Sequence, residues 1–109
     1  MDLNGPFGWR TLAPSVLDKT LEKLRQLERM TWSEILRTGK KFHHSVDVAS
    51  LAPGAQKRLQ ELDLDDQDSL VSLRLDGVTR VWVMRNEHVA FLLWWDPEHG
   101  VCLSNKKHT

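Results

Sequence analysis

Residues 70–96 read LVSLRLDGVTRVWVMRNEHVAFLLWWD, and this stretch decides the fold. Leu70, Leu73 and Leu75 lead into Asp76-Gly77, where glycine tolerates the positive φ that a tight hairpin turn demands. Val78 to Met84 returns as a second strand, Asn86-Glu87 supplies the next turn, and Val89 to Trp95 comes back as a third. The last run is almost wholly apolar, which predicts a central strand buried on both faces. Asp96-Pro97 ends it, because proline cannot donate to the ladder. The C-terminal third is therefore a three-stranded antiparallel meander, followed by a tail bearing histidine and lysine.

Working outward, Pro53 opens a helix in which Ala55, Leu59 and Leu62 line one side while Lys57, Arg58 and Glu61 face water. An acidic loop of Asp63, Asp65, Asp66 and Asp68 separates it from the meander. Before it, Phe42 to Val48 alternates loosely and has the valine content of a strand. Further upstream Ser15 and Asp18 form a capping pair ahead of Val16, Leu17, Leu21, Leu24, Leu27 and Met30, close to helical spacing. A helix from Ser15 to Met30 spans ~24 Å. Thr31 and Glu34 repeat the capping pattern, so a short second helix follows, with Gly39 ending it. Gly5, Pro6, Gly8 and Pro14 punctuate the first residues, with Phe7 and Trp9 available to dock.

The predicted class is α+β, with N-terminal helices packed on a small antiparallel sheet. One domain covers 1–109: an anchored arm at 1–14, a helical hairpin at 15–38, a sheet with one inserted helix at 42–96, and a tail at 97–109. Apolar residues make up 40% and charged ones 28%, too apolar a mixture for disorder. Lys plus Arg and Asp plus Glu are 15 each, so any nucleic-acid site must be local rather than a whole-molecule basic field. The single cysteine, Cys102, excludes an intramolecular disulfide and suits a reducing cytoplasm. No basic leader or bilayer-length apolar run occurs, so neither secretion nor membrane insertion is expected.

Three groups of residues can carry chemistry. Arg74, Arg80 and Arg85 lie on or beside the hairpin strands. On rigid strands Arg74 and Arg80 can grip a phosphate bidentately, or they can be solvated charge paired with the acidic loop. The odd separation from Arg80 to Arg85 puts those two on opposite faces of a regular strand. His99, just past the last strand, can act as general acid or base with Asp96 or Glu98 tuning it, or be an exposed turn residue. Lys106, Lys107 and His108 add charge and a further proton carrier to a tail that otherwise frays. His43 and His44, adjacent on a strand, point to opposite faces and cannot both ligate one metal, so no metal or other cofactor is expected. Cys102 has no neighbouring catalytic motif and reads as a small buried residue.

The run Leu73-Arg74-Leu75-Asp76-Gly77-Val78-Thr79-Arg80-Val81-Trp82, followed by a turn and an apolar strand, resembles the central segment of RelE/ParE-like toxins of bacterial toxin-antitoxin pairs. The resemblance covers about thirty residues, from Leu70 to about His99. It implies a small cytoplasmic α+β protein acting as an mRNA interferase, a metal-independent RNA endonuclease, often on the ribosome, and neutralised by an antitoxin. Arg74 and Arg80 match the strand arginines that bind RNA phosphate, His99 or His108 takes the place of the proton-transfer residue, and Arg85, Lys106 and Lys107 become RNA-binding. The chain departs from the family in its order of elements, its neutral charge and its lack of Tyr. Two other readings stand beside this one. Five Trp, with Trp94-Trp95 forced to opposite faces, suit a non-catalytic interaction module, or an oligomer, with Trp95 at the contact. A DNA-directed poison of the ParE type would leave RNA intact.

Overall fold

A computed structural model describes residues 1–28, 43–76, 79–86 and 89–102. Helix α1 spans Pro14–Glu28, strand β1 His43–Asp47, helix α2 Pro53–Glu61, and strands β2, β3 and β4 cover Ser69–Asp76, Thr79–Asn86 and Val89–Asp96. Short 3-10 turns at Trp9–Thr11 and Val48–Ser50 lead into the two helices. The strands form one antiparallel sheet in the order β1-β2-β3-β4, so the meander gains a fourth strand from the Phe42–Val48 region. Val46 of β1 stands opposite Leu70 of β2. The second helix expected after Thr31 falls outside the described residues.

Alternation along the strands divides the core in two. One set, Leu70, Trp82, Leu93 and Trp94, packs with Leu51, Ala55 and Leu59 of the α2 segment. The other, Val71, Leu73, Val81 and Val83, packs with Trp9 and with Leu17, Leu21 and Leu24 of α1. Among the described residues each face of the sheet thus carries one helix, an α+β architecture with the sheet in the middle.

Helix ends differ from expectation in instructive ways. Ala13, not Ser15, occupies the capping place of α1: its carbonyl accepts from Leu17 N–H at 3.0 Å, and Pro14 fills the first helical position. Proline suits that position, because its fixed φ is already helical and its missing N–H would have lacked a helical partner. Helix α2 ends with Asp63 in the left-handed region at φ 58°. Asp63 N–H reaches Gln60 O at 3.1 Å and Leu64 N–H reaches Leu59 O at 2.8 Å, the paired closing bonds of a Schellman motif with Asp where Gly is usual.

Two expectations are corrected. Strand β4 is not central but lies at the sheet's edge. Its apolar second half is buried because the arm at residues 2–9 takes the place of a neighbouring strand. Asp2 N–H donates to Leu93 O at 3.0 Å, and Trp95 N–H donates to Phe7 O at 3.1 Å. A bulge helps: Val83 pairs with Leu92 and Trp82 with Trp94, leaving Leu93 as the extra residue. The Leu93 carbonyl also accepts from the Trp9 indole at 3.1 Å. The first half of β4 lacks such cover, and Val89 and Phe91 are about half exposed, at 51% and 49%.

Arg58 is the second correction. It does not face water but grips Asp2, with Nε to Oδ2 at 3.0 Å and Nη2 to Oδ1 at 2.9 Å. The Trp94 indole donates to the same carboxylate at 2.9 Å. Burial alone pushes the Asp2 carboxyl up, but Arg58, Trp94 and the Asn4 N–H together hold it below the ordinary 3.8. Arg58 is correspondingly raised by its hydrogen bonds to Asp2 and Glu61.

Candidate functional site

Arg74 and Arg80 face each other directly across β2 and β3. Register partners share a face, and Leu70, Ser72 and Trp82 at alternate positions identify it as the α2 side. Arg74 is exposed and Arg80 half-buried. Arg80 donates through Nη1 to Thr79 O at 3.2 Å. Leu75 bulges between the Arg74–Arg80 and Asp76–Thr79 pairs. Planar guanidinium forks suit the oxygens of a phosphate.

Arg85 does not join them. It pairs with Ala90 and falls on the α1 side with Val81 and Val83, as the odd separation from Arg80 requires.

The register continues from Arg80 to Asp96 on β4. Asp96 is buried, at 1% exposure, and its oxygens are committed to the loop that follows. Oδ1 accepts from Gly100 N–H at 2.7 Å, while Oδ2 accepts from Val101 N–H and from the Trp82 indole, both at 3.1 Å. Asp96 therefore shapes the loop, and the hydrogen bonds place it against backbone and indole N–H groups rather than against the His99 ring. The loop turns back onto the α2 side: Val101 is buried in that core, its carbonyl accepts from Ala52 N–H at 2.7 Å, and Cys102 Sγ reaches Ser50 O at 3.5 Å.

His99 sits at the crest of this loop, half-buried, with φ at 62°. A non-glycine residue in that region carries strain that its surroundings must sustain. Its Nδ1 lies 3.1 Å from Cys102 O, and since a carbonyl only accepts, Nδ1 carries the proton and Nε2 is the nitrogen left for exchange. Glu98 is exposed beside it. The paired arginines and the His99 loop thus lie on one side of the sheet. His108, Lys106 and Lys107 fall outside the described residues.

The other candidates have structural places. Burial, and then the Asp96 charge, push the Cys102 thiol up, which suppresses thiolate chemistry. His43 and His44 pair with Leu73 and Ser72, successive positions on opposite faces. Among the described residues no group of three or more His, Cys, Asp or Glu is placed to hold a metal ion. Trp94 is buried, and Trp95 is half-buried with its ring centroid 6.1 Å from that of Trp9. Neither indole projects as a bare contact. Among the described residues no helix is long and apolar enough to cross a membrane.

Sequence reasoning missed the Asp2–Arg58–Trp94 cluster. Its members are 56 and 92 positions apart, so no local pattern signals it. No protein-family model, curated protein or solved structure matches the chain.

Proposed function

We propose that this chain is a toxin-type RNA endonuclease that binds a phosphate of single-stranded RNA at the Arg74–Arg80 pair. The observation that carries the reading is their direct opposition across β2 and β3 on the same side of the sheet as the His99 loop. Two guanidinium forks carried at paired positions on one face can take two oxygens of one phosphate. In the reaction the ribose 2′-hydroxyl loses its proton to a base and attacks the adjacent phosphorus. The bond from phosphorus to the 5′ oxygen breaks, and a 2′,3′-cyclic phosphate and a 5′-hydroxyl result. Arg74 and Arg80 offset the charge that grows on the non-bridging oxygens. His99, anchored through Nδ1, delivers the proton from Nε2 to the departing oxygen. A neutralising antitoxin protein and a ribosomal setting belong to the same reading.

The test is expression of the wild-type chain and of the Arg74→Ala, Arg80→Ala and His99→Ala variants, with growth measured and RNA 5′ ends mapped by primer extension. Growth arrest with new RNA ends for wild type only is the expected result. Arrest with intact RNA would move the chain to a DNA-directed poison, and harmless expression of the wild type would remove the nuclease reading.

A further inference from the structure

Strand β4 is sealed along only part of its outer edge. The arm covers it from Leu93 onward, where Asp2 N–H donates to Leu93 O and Trp95 N–H donates to Phe7 O. Val89, Ala90 and Phe91 lie before that point, and all three are exposed. An exposed edge that carries apolar side chains is a template for pairing with another strand.

The direction of each backbone group along this edge follows from the ladder. Val48 N–H donates to Asp68 O at 2.9 Å, one step beyond the Asp47–Ser69 pair. In an antiparallel strand successive residues turn their N–H and C=O to opposite sides, so bonded pairs recur at every second residue. Carried across the sheet, that phase makes Val46–Leu70, Val71–Val83 and Met84–Phe91 bonded pairs. Phe91 therefore bonds inward to β3, and Ala90 points its N–H and C=O outward. Trp82–Trp94 falls in the same phase, in agreement with the outward Trp95 N–H that reaches Phe7 O. Among the described residues no backbone group meets Ala90 from outside. Met84 packs in the core on the α2 side, so Phe91 opposite it and Val89 two positions earlier lie on that face, with Ala90 on the other.

We propose that the uncovered part of β4 pairs antiparallel with the same strand of a second copy, about a two-fold axis between the two Ala90 residues. The two Ala90 residues then exchange both backbone hydrogen bonds, and Val89 of each copy stands opposite Phe91 of the other. An aromatic residue against a β-branched one is a favourable cross-strand pair, and the symmetry makes it twice. A register centred on Phe91 is blocked, since it sets Val89 against Leu93, whose edge the arm holds. The formal net charge is zero, so two copies approach without mutual repulsion. The opposite edge strand, β1, presents His44, Ser45 and Asp47 at its exposed positions and has no such apolar pair. The contact is short, which makes the association concentration-dependent rather than permanent. It does not depend on the Arg74–Arg80 reading, because Arg80 pairs with Asp96 at the far end of β4.

The test is sedimentation equilibrium of the full chain from ~1 µM to ~1 mM, repeated with Ala90→Pro and Phe91→Lys. The wild-type chain should pass from monomer to dimer within that range. Ala90→Pro removes the outward N–H while leaving the bonds to β3, a place where an edge strand accepts proline, and Phe91→Lys sets a charge on the pairing face. Each should weaken the dimer by at least about tenfold, with a circular dichroism spectrum matching wild type. The register is read with Ala90→Cys in a Cys102→Ser background. Bonded partners have Cα atoms about 5.5 Å apart, within disulfide reach, so oxidation should give a covalent dimer. Ser45→Cys on β1 should give none in the same background. A chain monomeric throughout would overturn the proposal and leave the edge to a strand of another protein. A dimer that both substitutions leave unchanged, or that crosslinks through Ser45→Cys rather than Ala90→Cys, would overturn it by placing the contact elsewhere.

Discussion

The two sides of the sheet are built on different terms. On the α2 side the apolar core is threaded with buried polar groups: Asp2 holds Arg58 and the Trp94 indole, and Asp96 holds Gly100, Val101 and the Trp82 indole. On the α1 side the contacts are mainly apolar, with Leu24 against Val71, Leu73, Val81 and Val83. The first arrangement fixes positions, because a hydrogen bond has a direction and a buried donor without its acceptor is costly. The second supplies burial without comparable constraint. The side that carries the arginine pair and His99 is thus the side whose backbone is most closely specified.

Replacing side chains on each face tests this. Leu59→Ala on the α2 side should cost about 4 kcal/mol, because the residue is fully buried among Ala55, Leu70 and Trp82; Leu24→Ala should cost less, about 2–3 kcal/mol, since its site borders solvent. Urea denaturation of both variants measures the difference, and equal losses would erase the asymmetry. Asp96→Ala should cost about 3 kcal/mol by leaving three N–H donors without their acceptor, two of them buried, and should expose the loop amides of Gly100 and Val101 to hydrogen exchange. Protection unchanged at those two amides would show that the loop holds without the carboxylate.

A smaller effect is expected in acid. Because the folded state lowers the Asp2 pKa, it binds fewer protons there than the unfolded chain does. Its contribution is complete above the ordinary carboxylate value of 3.8 and is lost as pH falls through the lower folded value. Asp2→Asn should therefore narrow its gap to wild type as pH drops below about 4. A gap that stays constant from neutral pH into that range would assign its effect to packing alone. The smallest change in stability is expected for Arg80→Ala and Arg85→Ala, yet these should separate in function. On the proposed nuclease reading, loss of Arg80 should relieve growth inhibition by the expressed chain, whereas loss of Arg85, on the other face, should leave it in place. Relief by both would dissolve the functional distinction between the two faces.

Much of the fold was legible because local chemistry dictated it. Asp76-Gly77 marked the hairpin, Pro53 marked the start of α2, and the valine-rich run at 42–48 marked β1. Apolarity misled at β4, because it reports burial and not rank within a sheet. Val89 to Trp95 looks central, yet its cover comes from an arm more than eighty positions away. At the candidate site the residue types and the opposite placement of Arg80 and Arg85 followed from strand alternation. The Arg74–Arg80 pairing did not, because the bulge at Leu75 shifts the register by a residue that no local pattern marks. Asp96 looked like a partner for His99, but its oxygens are taken by N–H groups that only the folded loop presents.

The seat of the arm on Leu93 and Trp95 also sets an order of events during synthesis. Asp2, Phe7 and Trp9 are translated early, but their partners on β4 come some eighty residues later. Contacts of such separation close late, after the intervening chain has found its own pairings. Until then the Leu93 carbonyl and the Trp95 amide form an open strand edge. A nascent chain halted before residue 93 lacks the strand edge on which its arm makes its backbone hydrogen bonds. Once β4 has emerged, residues 2–9 of the same chain close that edge.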